Sequence, residues 1–592
     1  MKKFIIQVLA TVVGILLVTG LFVFGLIFLG ILSSDSSKID VEDNSVLEIT
    51  LNKSIMENPN EREISIFSLE EGTNVYLKEI LDLIKHAKTD DKIKGISLKL
   101  SYPEGGYSEI SEIRQALVDF KKSKKFVYSY SNDCSQKAYY LASVADSLFL
   151  NPNATVELAG LSTEILFYKN LGEKYGIDFE VIRHGQYKSA VEPYIRENLS
   201  DENRLQLSEL LGNIWLKVSG DIASSRKISI EKLNTIADSL YGFIPELALE
   251  HKLADKLINE SEYDQVIKRK LGIFTDEKIN KISLAKYKEA NDRESYSNDK
   301  IAVLYATGQI YTGRGEEDIY SKTFIKQIKE IKKDDEIKAV VLRVNSPGGS
   351  ANASSEILYE LEELKKKKPL IVSFSDVAAS GGYYISMAAD KIYAQENTIT
   401  GSIGVLGMIP NVKKLANNVG ITSDHVSTNA NSLYYSMTQG TSGDLKNVMT
   451  KGVEMTYKKF VGVVMKGRKM TYEQVDALGG GRVWSGKDAL KNKLVDEIGT
   501  FDDAIAFAAK KSGLTEYGII SYPQEKSGWE SFLNKIKSED EDDEDENIRI
   551  DVTDKLLEKE LGKENYRIYQ KVKNLDKEQG VKYLMPFDLA IK

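Results

Sequence analysis

Ala339-Val340-Val341-Leu342-Arg343-Val344-Asn345-Ser346-Pro347-Gly348-Gly349 decides the fold of this chain. A short, almost unbroken apolar run suits a strand buried on both faces of a parallel sheet. The Pro-Gly-Gly that closes it is a turn signal and leaves backbone donors pointing at a neighbouring site. Residues 333–344 have an earlier counterpart. Thr89-Asp90-Asp91-Lys92-Ile93-Lys94-Gly95-Ile96-Ser97-Leu98-Lys99-Leu100 mirrors Lys333-Asp334-Asp335-Glu336-Ile337-Lys338 and the apolar run, at an offset of 244 positions. At the same offset residues 139–146 mirror residues 383–390, and Gly105-Gly106 falls opposite Gly348-Gly349 after a one-residue slip. Later, His251-Lys252-Leu253-Ala254-Asp255 mirrors Asn492-Lys493-Leu494-Val495-Asp496. Two similar domains in tandem are the simplest account.

Within each half, β-rich runs (residues 46–51, 301–305 and 370–374) alternate with helical stretches such as residues 354–367. Strands followed by amphipathic helices imply βαβ units, an α/β fold and mostly parallel sheets. Each half then adds a longer helical stretch, residues 204–222 in the first and 447–466 in the second. The expected division is a terminus at 1–3, a membrane span at 4–32, repeats at 45–297 and 298–520, and an acidic linker with a helical tail at 521–592. Residues 4–32 carry no charge, and at ~1.5 Å per residue they exceed the ~30 Å hydrocarbon core. Lys2 and Lys3 place the start of the chain in the cytoplasm and the rest outside. The acidic run 539–546 reads as a solvated segment.

The 592 residues are too many for one core, and 42% hydrophobic with 28% charged residues is the composition of a folded protein. A net charge of −9 and pI near 5.5 disfavour nucleic acid as a partner. The single cysteine, Cys134, excludes an internal disulfide and multi-cysteine zinc sites. His86, His184, His251 and His425 follow no metal-ligand spacing, and no Gly-x-Ser-x-Gly elbow occurs.

The candidate nucleophile is Ser380, in Val377-Ala378-Ala379-Ser380-Gly381-Gly382-Tyr383-Tyr384. Flanking small residues let the backbone turn sharply where a strand enters a helix, and free N–H groups with a helix dipole favour negative charge there. The equivalent position in the first half is Gln136, so that half lacks the nucleophile. Conversely, Tyr187-Lys188-Ser189-Ala190-Val191-Glu192-Pro193 has no lysine counterpart around residues 428–435. A site between the repeats would take one member of a pair from each. A serine hydroxyl needs a base, and a lysine serves only as the neutral amine, which burial beside Tyr187, Ala190 and Val191 would favour. Ser402, in Thr400-Gly401-Ser402-Ile403-Gly404, is placed to aim that amine. N–H groups of Gly349 and Gly381, in the Gly348-Gly349 and Gly381-Gly382 pairs, would hold an oxyanion. Residues 403–409 would line a groove or form a core strand.

These four motifs, in this order, resemble the signal peptide peptidase A (protease IV) family in its long, duplicated form, over roughly residues 45–510 and the N-terminal span. The resemblance implies a Ser/Lys-dyad serine endopeptidase on two ClpP/crotonase-like domains, with Ser380 as nucleophile, Lys188 as general base, Ser402 as the lysine's partner and Gly348, Gly349 and Gly381 around the oxyanion. It also implies a homotetramer anchored in the cytoplasmic membrane, cutting remnant signal peptides and other short apolar peptides on the extracytoplasmic side, without metal or organic cofactor. Two other classes compete: a membrane-anchored scaffold that binds peptides without cutting them, and acyl-CoA chemistry of the crotonase sort. The complementary Ser380 and Lys188 argue against the first, and an extracytoplasmic location against the second.

Overall fold

The computed structural model describes residue 14 and residues 40–52, 54–57, 75–274, 276–291, 297–315, 318–524 and 582–585. Apart from residue 14, the expected membrane span lies outside the described residues, as does the acidic run. The first half contributes strands β1 (Ser45–Thr50), β2 (Ile93–Lys99), β3 (Phe126–Ser131), β4 (Ser147–Leu150), β5 (Asp178–His184), β6 (Lys256–Leu257) and β7 (Lys281–Ser283). In the second are β8 (Lys300–Thr307), β9 (Ile310–Tyr311), β10 (Ile319–Tyr320), β11 (Ile337–Ser346), β12 (Gly348–Ser350), β13 (Leu370–Ala379), β14 (Lys391–Ala394), β15 (Ile399–Gly401), β16 (Val405–Asn411), β17 (Val483–Ser485), β18 (Glu497–Ile498) and β19 (Gly518–Tyr522). A last strand, β20, is Lys582–Leu584.

Two sheets carry the duplication. The first runs β6-β4-β3-β2-β1-β7 and is parallel throughout. The second runs β17-β15-β13-β11-β8-β19, with β14 beside β13 and β18 beside β14; only β17 is antiparallel. Strand β13 forks. Its residues Ile371, Val372 and Ser373 pair with β14, whereas Val377, Ala378 and Ala379 pair with β15. The fork splays the sheet at its carboxyl end, the edge where parallel sheets keep their ligand sites.

The helices repeat in step. Helices α1 (Leu77–Thr89), α2 (Tyr107–Lys121), α3 (Gln136–Ala142) and α4 (Asp201–Arg226) correspond to α5 (Ser321–Lys333), α6 (Ala351–Lys365), α7 (Gly381–Ile385) and α8 (Gly443–Arg468). α2 and α6 begin at the same 244-residue offset. Gly106 therefore stands opposite Ser350, each as an N-cap, and the expected one-residue slip is absent. α4 and α8 are the two long helices, each closed by a left-handed lysine, Lys227 and Lys469. The repeats also share tethers: Tyr139 Oη donates to the Leu253 carbonyl at 3.0 Å and Tyr383 Oη to the Leu494 carbonyl at 2.8 Å. Burying hydroxyls of this kind requires such partners.

The third sheet, β10-β9-β12-β20-β16-β5, joins the halves. β5 from the first half lies antiparallel to β16 from the second over seven residue pairs, His184 opposite Val405 through Asp178 opposite Asn411. The expectation of a helical tail over 548–592 is not met at its described residues, 582–585, which hold strand β20. The second parallel sheet also runs on to Tyr522, past the expected boundary at 520.

Candidate active site

Ser380 stands at the joint between β13 and α7 with φ 56° and ψ −112°. Backbone strain of this kind costs of order 1–3 kcal/mol and persists only where the surroundings over-determine it. Here the Ser380 N–H donates to the Gly401 carbonyl at 2.8 Å. The following glycines leave no room for side chains. A Cβ on Gly381 would lie 2.8 Å from Ser354 Oγ, and one on Gly382 would lie 2.8 Å from the Ser346 carbonyl oxygen. α7 has only five residues, so its dipole is small; individual N–H groups, more than a helix field, set the local electrostatics. A Cβ on Gly381 would also fall 3.2 Å from Gly349 N, so those two backbones adjoin. Gly348, with φ 101°, turns its own N–H to Ser346 Oγ at 3.2 Å.

Lys188 arrives from the first half on the loop that follows β5. It is fully buried, as are Ser380 and Ser402. Its Nζ lies 2.9 Å from Ser380 Oγ, 2.9 Å from Ser402 Oγ and 3.2 Å from the Ser402 carbonyl oxygen. Burial holds the amine well below the usual lysine value of 10.5, because desolvation penalises the ammonium. A neutral amine can donate to both Ser402 oxygens and still accept a proton from the Ser380 hydroxyl. Ser402 itself has φ 49° and is pinned by its N–H donating to the Arg482 carbonyl at 2.7 Å. Of the expected wall, Val191 is buried, while Tyr187 and Ala190 are half-buried.

Residues outside the sequence reading hold this lysine in place. A Cβ on Gly481 (φ 85°) would come within 2.6 Å of Lys188 N and Cβ, and one on Gly185 would strike Gly480. The Tyr187 N–H donates to the Gly480 carbonyl at 3.0 Å. Gln206 Nε2 donates to the Tyr187 carbonyl and to Ser189 Oγ, both at 3.1 Å, while its Oε1 accepts from the Val483 N–H at 3.3 Å. Three successive glycines at 479–481 are a visible turn signal; Gln206 gives none. Toward the end of β13, half-buried Asp376 lies beside the buried Glu109. Burial pushes both carboxyls up, Glu109 well above the usual range, with the neighbouring carboxyl of Asp376 adding to its rise.

In the first half, the position equivalent to Ser380 is closed. Gln136 Nε2 donates to Tyr107 Oη at 2.9 Å and to the Gly160 carbonyl at 3.0 Å, and its Oε1 accepts from the Ala159 and Gly160 N–H groups. A fully satisfied amide has replaced a reactive hydroxyl there.

Comparison with known proteins follows the same division into halves. The sequence profile of Peptidase family S49 matches residues 119–273 and again 362–515, more than half of the chain. The chain belongs to peptidase family S49. Protease 4 of Salmonella typhi is 37% identical over 470 residues, 78% of this chain and 76% of that protein. The chloroplastic serine protease SPPA of Arabidopsis thaliana is 32% identical over 489 residues, 80% of this chain and 70% of that one. A shorter relative, the putative signal peptide peptidase SppA of Enterococcus faecium, is 38% identical over 252 residues, 41% of this chain but 73% of its own length. This S49 chain is thus a serine peptidase of the signal peptide peptidase A (protease IV) type, with its domain in two copies.

Proposed function

We propose that this S49 peptidase hydrolyses remnant signal peptides and other short apolar peptides with a Ser380/Lys188 dyad divided between its two repeats. The reading rests on one observation, the dry 2.9 Å contact between Lys188 Nζ and Ser380 Oγ. The neutral amine takes the Ser380 proton as Oγ attacks the peptide carbonyl carbon. Gly349 and Gly381 N–H groups hold the resulting oxyanion, at ~2.7–4 kcal/mol per donor, while Gly348 shapes the turn. The amine then returns the proton to the leaving nitrogen, and water attacks the acyl-enzyme by the reverse route. Ser402 keeps the amine aimed. Each repeat is a ClpP/crotonase-like unit in this reading. Residues 4–32 anchor the chain in the cytoplasmic membrane with both repeats outside, as a homotetramer.

The test is turnover of a synthetic signal peptide by the parent, Ser380→Ala and Lys188→Ala, with circular dichroism as the control for folding. Loss of about 10³-fold or more in both variants is expected. An active Lys188→Ala variant at neutral pH removes the dyad. A parent that binds the peptide without cutting it makes the chain a scaffold.

A further inference from the structure

The ladder between β11 and β13 loses its register just before the site. Val344 pairs with Phe374 and Ser346 with Ala378, so Asn345 alone stands opposite Ser375, Asp376 and Val377. A bulge of this kind leaves its extra residues out of the ladder and re-aims the chain beyond it. Beyond it lie Ser380 on β13 and, on the β11 side, the Gly348–Gly349 turn. Left loose, the bulge would let both shift. Side chains close it. Asn345 Oδ1 accepts the Val377 N–H at 3.2 Å, and its Nδ2 donates to Glu109 Oε1 of the first repeat at 3.3 Å. Ser375 Oγ donates to Glu57 Oε1, also of the first repeat.

Asp376 reaches across to the start of α2. Its Oδ1 accepts the Ser108 N–H at 2.7 Å, a donor that a helix ordinarily offers to its own N-cap side chain. The N-cap of α2 is Gly106, and a Cβ on it would fall on the Asp376 carboxyl. At the equivalent position of α6, Ser350 caps its own helix, its Oγ accepting the Ala353 N–H at 3.3 Å. Repeat one therefore leaves its cap bare, and repeat two fills it. Glu109 Oε2 accepts the Gly106 N–H at 3.0 Å, and the Glu109 and Asp376 carboxyls are hydrogen-bonded to each other. Two carboxyls in such contact keep one proton between them. Both Glu109 oxygens and Asp376 Oδ1 already accept N–H groups, which leaves Asp376 Oδ2 to hold it.

We propose that Glu109 and Asp376 are positioning residues for the peptidase site. Bonded to each other across the repeats, they fix the bulge of β13 and so hold Ser380 and the Gly348–Gly349 turn at set places relative to one another. Repeat one then supplies the frame of the nucleophile as well as the base. This inference rests on the peptidase reading for the reaction that it serves. The hydrogen bonds of Lys188 Nζ go to Ser380 and Ser402, and those of the two carboxyls go elsewhere. Their loss is therefore felt as a displacement of the reacting groups. A displacement of ~1 Å costs about 10²-fold in the transition state and leaves ground-state binding alone.

The experiment uses the full chain and four variants: Asp376→Asn, which keeps the shape and a donor, Asp376→Leu, which keeps the shape alone, Glu109→Leu, and the double Leu variant. The readouts are kcat and KM for a synthetic signal peptide, inhibition by a peptide aldehyde that adds to Ser380 Oγ, and circular dichroism as the control for folding. Either Leu variant should lose kcat and aldehyde affinity by about 10²-fold at a KM within about twofold of the parent. The double variant should lose no more than either single one, and Asp376→Asn should stay within about threefold of the parent. An Asn variant as slow as the Leu ones, a Leu variant as fast as the parent, a loss confined to KM, or losses that multiply in the double variant overturn the proposal and leave the peptidase reading intact. Where a Leu chain does not fold, Asp376→Ala and Glu109→Ala are read by the same criteria. A parent that neither cuts the peptide nor binds the aldehyde more tightly than the peptide removes the peptidase reading, and the positioning role with it.

Discussion

Lys188 has no carboxylate partner among the described residues, and burial alone lowers its pKa. Function and stability therefore pull in opposite directions at this residue. Between its folded pKa and 10.5, the unfolded chain carries a proton there that the folded chain does not. Stability from this site is complete above 10.5 and lost as pH falls through that window, by about 1.4 kcal/mol per unit of difference. Turnover, by contrast, should rise with pH through the lowered lysine pKa and level off well below pH 10, which a kcat/KM profile checks. Lys188→Met should abolish turnover while raising the apparent melting temperature at pH 7 by about 2–4 °C. The gain should shrink steadily as pH rises and vanish only above 10.5, where the unfolded parent no longer has a proton to shed; a constant gain would assign it to packing. The sequence marked Lys188 and Ser380 because each half had lost what the other kept. It did not mark Gln206, whose buried amide positions the lysine loop through bonds that only the folded chain brings together.

Among the elements, the turn at Gly479–Gly481 does more for the site than any helix. It accepts the Tyr187 N–H and lies flat against Lys188, so repeat one docks on a stretch of repeat two that has no side chains. Gly481→Ala would place a Cβ 2.6 Å from the Lys188 backbone nitrogen, and a shift of ~1 Å in the base costs about 10²-fold. Gly513→Ala is the matched control. Gly513 also has positive φ, 70°, yet nothing lies within 4 Å of an added Cβ. Both variants should lose about 1 kcal/mol of stability from the positive φ, Gly481→Ala more because of its clash, but only Gly481→Ala should lose kcat, by about 10²-fold or more. Equal kcat in the two would mean that the glycine turn does not hold the base. Legibility at this scale follows locality. The parallel strands and the two long helices were readable from their own composition. β20 was not, because three residues carry no period and its partners lie more than 170 positions away.

At the scale of the molecule, the halves are locked by charge as well as by the shared sheet. Arg343, on β11, is fully buried between two carboxylates of the first half, with Nη2 2.7 Å from Glu57 Oε1 and 2.9 Å from Glu112 Oε1. Its counterpart in the duplication, Lys99, is a partly exposed residue paired with Glu48 and Glu260. The duplication was legible, but which of two equivalent cations would face the other repeat was not, since the docking geometry decides it. One cation between two carboxylates leaves the site short of positive charge, and burial pushes the Glu112 carboxyl up to about 7 despite the guanidinium. Arg343→Met should therefore destabilise the chain by about 3–5 kcal/mol, the cost of leaving buried carboxylates unpaired. The sign with pH is fixed. Carboxyls whose folded pKa is raised contribute most below their unfolded pKa and lose that contribution as pH rises through the folded value. The deficit of Arg343→Met relative to the parent should then be smaller at pH 6 than at pH 8, as Glu112 takes up a proton in the variant. Adding Glu57→Gln and Glu112→Gln should restore most of the loss at pH 8. Denaturant titrations of the parent, the single and the triple variant at both pH values check this. A triple variant as unstable as the single one would mean that packing around Arg343, not its charge, joins the repeats.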